Sequence, residues 1–183
     1  MKCEILRKHI FDTVKEWQMK IGYMDEDMRL YYPQTSLNTM LGLKKNAPKE
    51  ILDTKLAEFA SEMAAQLGEI RISEKDGRYC LDISPQGCAY INREIPDPEF
   101  LKGLLNVITF GDGTLEKARE CFAAYAKQSG CGFTEKNESE DGMGHVFYFE
   151  DPSVDEYVYC VEENEFGLTY HRFSRDEYEN SLI

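Results

Sequence analysis

No stretch of the 183-residue sequence stays apolar for the roughly 18 residues that a membrane-spanning helix needs. No secretory leader is expected either, because Met1 to Ile21 alternates charged and apolar side chains at helical spacing. The expected location is therefore the cytoplasm, with no membrane partner. Cysteine is present but never paired. Cys3, Cys80, Cys88, Cys121, Cys131 and Cys160 stand singly, with no C-x-x-C motif and no histidine at finger spacing, which excludes the common zinc frameworks. They read as small buried hydrophobes in a reducing compartment. No dinucleotide fingerprint and no phosphate loop with its lysine occurs, so no cofactor is expected.

Positive charge is scarce, and unevenly so. Lys and Arg number 21 against 34 Asp and Glu, a net of −13. Residues 1–95 carry 14 cations against 15 acids (−1), whereas residues 96–183 carry 7 against 19 (−12). A molecule with that field is repelled by nucleic acid and by anionic lipid as a whole, and only the first half could approach a polyanion.

What is there begins with a stripe. Cys3, Leu6, Ile10, Val14, Trp17 and Ile21 recur three or four apart, which aligns them on one face of a helix that Gly22 ends. An acidic link, Tyr23 to Asp27, leads through Tyr31, Tyr32 and Pro33 to a short helix with Leu37, Met40 and Leu41. Asn46 is placed to cap a third helix, with Pro48 in its first turn and a stripe of Leu52, Leu56, Phe59, Met63 and Leu67. Ile70 and Ile72 alternate before Asp76-Gly77, and Tyr79, Leu81 and Ile83 alternate after it. This predicts a hairpin with the residue pair that a type I′ turn prefers.

Helix, helix, turn, helix and hairpin in that order resembles a winged helix-turn-helix domain over roughly residues 2–92, with Ser84 to Ile91 as the short helix that often follows the wing. The resemblance implies that the third helix and the wing are the nucleic-acid contacts. Here that third helix would offer Lys49 and Lys55 against Glu50, Asp53, Glu58 and Glu62, a poor match to phosphates. If DNA were bound, the contacts would be Lys44, Lys45, Lys49, Lys75 and Arg78. The whole chain also resembles an uncharacterised family of bacterial proteins, chiefly from Lys2-Cys3-Glu4-Ile5-Leu6 through Tyr31-Tyr32-Pro33-Gln34. That family has no assigned activity and implies none.

Pro96 and Pro98 mark the expected boundary between a winged-helix-like domain (1–95) and an acidic α+β domain (96–183). The second half predicts two helices, over 98–109 and 114–129, then a polar, mobile segment from Glu135 to Gly144. An antiparallel meander of three strands follows: His145–Glu150, Glu156–Glu162 and Leu168–Phe173. Ser174 and Glu177 form a capping box for a terminal helix.

The candidate chemistry is thin. A nucleophile with a base needs a thiol and an imidazole within reach, which leaves Cys160 with His171 or His145; the expected register sets Cys160 opposite Thr169 or Tyr170. His9 reads as a solvated residue on the first helix. Asn137 to Gly142 has the oxygen donors and glycine of a calcium loop, but its closing position is Tyr148 rather than a bidentate Glu. Gly111-Asp112-Gly113-Thr114 reads as a turn with a Thr114 cap, not an anion site. Neither a catalytic nor a metal site is expected. The stronger expectation is a docking surface for another protein on an aromatic sheet face, made of Tyr148, Tyr157, Tyr159 and Tyr170. The chain is thus expected to be an α+β, non-enzymatic protein-interaction module. A DNA-binding regulator with an acidic sensor half is the alternative, and a small Cys/His hydrolase a remote one.

Overall fold

Spacings of three and four in the opening residues do produce a helix, α1 (Glu4–Ile21), in the computed structural model of the chain. The structure describes residues 3–110, 113–137, 144–165 and 167–181. It divides into two compact units, Met1–Asp97 and Pro98–Ile183.

In the first unit α1 is followed by β1 (Met28–Pro33), α2 (Gln34–Met40), α3 (Lys49–Leu67), β2 (Ile70–Lys75), β3 (Arg78–Ile83) and α4 (Pro85–Glu94). The hairpin forms as the alternation demands, with Ile70 opposite Ile83 and Ile72 opposite Leu81. Asp76 and Gly77 both take positive φ, 54° and 76°, as a type I′ turn requires. The sheet has a third strand that the sequence reading missed: β1 pairs antiparallel with β3, giving the order β1-β3-β2. Its alternation is short and ends in proline, a residue tolerated at a strand end because it donates nothing to the ladder.

The core lies between the helices and the inner sheet face. Leu6, Ile10 and Val14 of α1 meet Leu52, Leu56, Phe59 and Leu67 of α3, with Leu81 and Ile83 from β3 and Ile91 from α4. Gly87 permits a close approach, since a Cβ there would lie 2.8 Å from the Leu67 carbonyl oxygen and 2.9 Å from Ile83 Cγ2. Ser84 joins the same corner: its hydroxyl donates to the Leu67 carbonyl (2.6 Å) and accepts from the Gly87 N–H (3.3 Å), capping α4. Two local expectations need correction. The residue preceding α3 is Pro48, not Asn46, and no side chain caps that helix. His9 is half-buried, its ring edge-on to Tyr32 at 5.5 Å.

The second unit runs α5 (Glu99–Phe110), α6 (Leu115–Ser129), β4 (Phe133–Asn137), β5 (His145–Phe149), β6 (Tyr157–Asn164), β7 (Gly167–Ser174) and α7 (Arg175–Ser181). The meander has four strands, β4-β5-β6-β7, rather than three. The added edge strand, Phe-Thr-Glu-Lys-Asn, lacks apolar alternation, and its glutamate is satisfied by other means. Both oxygens of Glu135 accept from Arg119 at 2.7 Å, which holds its carboxyl below the usual carboxylate range. Charged side chains of this kind are common on sheet edges. Phe100, Phe122, Phe147, Phe149 and Tyr159 fill the core, with ring centroids of Phe100 and Phe122 4.5 Å apart and those of Phe122 and Phe147 4.8 Å apart. Thr114 caps α6 through the Lys117 N–H (3.3 Å). Ser174 and Glu177 cap α7 reciprocally, at 2.9 and 3.2 Å. Gly111, Asp112 and the greater part of the calcium-like loop, 138–143, lie outside the described residues.

Phe59 is fully buried at the centre of the α3 stripe. Phe59→Ala is therefore expected to cost about 3–5 kcal/mol. Urea unfolding of the full chain checks this, and an unchanged midpoint would mean that α3 packs by another face.

Candidate functional site

The four tyrosines expected to form one surface do not share one. Side chains alternate along a strand, and the register puts Phe147 opposite Tyr159, Tyr159 opposite Arg172, and Val161 opposite Tyr170. Tyr157, Tyr159 and Tyr170 therefore project to one face and Tyr148 to the other. Tyr159 is fully buried among Phe100 and Phe122, and its hydroxyl donates to Asp155 (2.9 Å). Burial pushes both of these groups up. Tyr170 is buried beside Tyr159, at 6.1 Å between rings. Tyr157 lies half-buried under the Arg172 guanidinium, 4.1 Å from its centroid, and Tyr148 has Lys136 and Arg175 over its ring.

Cys160 and His171 do face each other, directly opposite across β6 and β7 rather than one or two positions apart. The hairpin closes with Asn164 opposite Gly167, which sets that register. The thiol does not reach a surface, however. Cys160 is buried with Val146, Val158 and Tyr178 of α7, while His171 is exposed.

The five basic residues converge on one end of the first unit. Gln34 joins their segments: its backbone N–H donates to the Gly77 carbonyl (3.1 Å) and its side chain to the Ala47 carbonyl (2.9 Å). Asn38, fully buried, adds a bond to the Lys45 carbonyl (3.0 Å). Lys44, Lys45, Lys75 and Arg78 are exposed there, but Lys49 pairs with Glu74, which also accepts the Gly77 N–H (2.8 Å). Along α3, Glu50, Asp53, Glu58 and Glu62 are all exposed.

The most distinctive feature is one that the pattern along α1 concealed. Its stripe begins in the core, with Cys3, Leu6, Ile10 and Val14 buried, yet Trp17 is 50% exposed and Ile21 51%. Gly22, at φ 86°, ends the helix with its N–H on the Gln18 carbonyl (2.9 Å), and Met24 in the following link is 48% exposed. These side chains, with Met28, Leu30 and Cys88, line a groove of about 250 Å³ rimmed by Glu26, Asp27 and Arg29. Gln18 also lines it, only 8% exposed. Its Nε2 donates to the Cys88 carbonyl (2.8 Å), which fixes the orientation of the amide. Its Oε1 is buried with no hydrogen-bond partner among the described residues. Burial pushes the Cys88 thiol up, so the groove wall is neutral there. The signal in the sequence was available: Trp17 is the chain's only tryptophan, at the far end of an apolar stripe and next to an acidic link.

Among the described residues no helix is long and apolar enough to cross a membrane, and no three His, Cys, Asp or Glu side chains are grouped to hold a metal ion. What remains is a two-unit α+β protein with two antiparallel sheets and a small apolar groove on its first unit. The chain belongs to a bacterial family described as a domain of unknown function, E. rectale gene description (DUF3877), whose model matches residues 3–182. No curated protein and no solved structure matches it.

The exposed end of the stripe and the link after it contrast with the buried part of α1. Ile21→Ser and Met24→Ser are expected to change unfolding free energy by no more than about 0.5 kcal/mol, whereas Ile10→Ala costs about 2–5 kcal/mol. Comparable losses at Ile21 and Ile10 in urea titrations would mean that the stripe's end is core.

Proposed function

We propose that the chain is a non-enzymatic protein-interaction module whose first unit is a winged-helix-like domain and presents the α1 groove to a partner. The element order α1-β1-α2-α3-β2-β3-α4, the sheet order β1-β3-β2 and the tight Asp76-Gly77 turn support the winged-helix reading. The exposed carboxylates of α3 favour protein over DNA as what it meets. Six cysteines without a disulfide fit a reducing cytoplasm.

One observation carries the proposal: the only tryptophan lies half-exposed beside Ile21 and Met24 on a groove. Contiguous apolar surface with a polar rim marks interaction sites, and tryptophan is among the residues most enriched where binding energy concentrates. At about 250 Å³ the groove is smaller than the ~300–1,000 Å³ that enclose a typical small-molecule ligand, and suits an inserted side chain.

A benzophenone amino acid in place of Trp17 or Met24, in the full chain produced in its native bacterial cell, is expected to give discrete photo-crosslinked adducts of higher mass. The same group at Ile51, equally exposed on α3, is the control and should give none of them. Absence of adducts from both groove positions, or the same adducts from Ile51, would remove the proposal.

A further inference from the structure

Resting on that reading, we infer that the groove receives a large apolar side chain from a cationic peptide segment of the partner. The charges at the rim decide the sign. Asp27 is already paired with Arg71 (2.8 Å), which also reaches Asp82 (3.0 Å), and Arg29 lies 3.9 Å from the same Asp82. Glu26 on the rim has no hydrogen-bond or ion-pair partner among the described residues, and Asp25, its neighbour in sequence outside the groove lining, accepts there only the Tyr23 hydroxyl, at 3.3 Å. The rim's unneutralised charge is therefore negative. The net charge of −13 draws cations toward the molecule as a whole.

The interior of the groove sets two further requirements. Its apolar wall and small volume fit one anchoring side chain, and the half-exposed Trp17 indole offers a face on which Lys or Arg can stack. A second copy of this chain fits poorly, because it brings one acidic rim against another and sets two strongly anionic molecules together. An anionic lipid surface is repelled for the same reason.

The test uses a random peptide library displayed on phage, panned in parallel against the full chain and against its Trp17→Ala variant. Met24→Asp serves as a second variant should Trp17→Ala fail to fold. The expected result is a set of peptides retained only by the native chain, each with Lys or Arg beside a large apolar residue and depleted in Asp and Glu. A synthetic copy of one such peptide should lose affinity about tenfold when Asp25→Lys is combined with Glu26→Lys, and should weaken with added salt. Trp17-dependent peptides that are neutral or acidic would overturn the cationic partner while leaving the interaction module intact. No Trp17-dependent peptide at all, with photo-adducts still formed at position 17, would overturn the peptide segment. If those adducts are absent too, the module itself falls.

Discussion

The apolar stripe of α1 is longer than the core it packs into, and the first unit is organised around that mismatch. From Leu6 to Val14 the stripe is buried against α3, β3 and α4, and this contact holds the helical layer onto the sheet. Further along, α1 is held to α4 by polar contacts instead. Lys15 is buried, pairing with Asp97 (2.8 Å) and donating to the Asn92 carbonyl (3.2 Å), while Gln18 donates to the Cys88 carbonyl (2.8 Å). Such bonds fix the position of a helix without covering its apolar side. The stripe continues through Trp17 to Ile21 regardless, and what a longer core would have filled is a groove.

The hydrophobic effect makes such a surface costly to leave in water, at roughly 25 cal/mol per Å² of apolar area, so a partner that covers it gains what folding did not. The rest of the first unit is consistent with a scaffold for that surface. The end of the unit at the Asp76-Gly77 turn gathers cations but pairs Lys49 with Glu74, and α3 points carboxylates outward. In the second unit Tyr159 and Tyr170 lie in a packed core and Tyr148 and Tyr157 beneath guanidinium and ammonium groups, so these tyrosines make no comparable apolar face among the described residues. Residues 96–183 carry twelve excess negative charges, a field that opposes self-association.

Features that rest on local chemistry were legible in the sequence. Asp76-Gly77 dictates its own turn, Ser174 and Glu177 their own cap, and the 3.6-residue period of α3 its own buried face. What depends on a partner strand was not. β1 and β4 gain their stability from pairing with β3 and β5, and in β4 from an ion pair with Arg119, none of which a short polar run announces. The tyrosines were misplaced for a related reason: alternation gives the parity of each strand, but only the register shows that Tyr148 lies opposite in sense to Tyr159, and that one of these faces is core. The groove was missed because periodicity reports which residues share a helix face, and says nothing about where along the helix the opposing layer stops.

The emission of Trp17 in the full chain tests that account most directly, because no other tryptophan contributes to it. If the stripe overruns its core, the indole emits like one in contact with water and is quenched readily by acrylamide at all protein concentrations. A blue-shifted emission shielded from acrylamide in dilute solution would place Trp17 inside the fold. Shielding that appears only as concentration rises would mean that a second copy of the chain covers the groove.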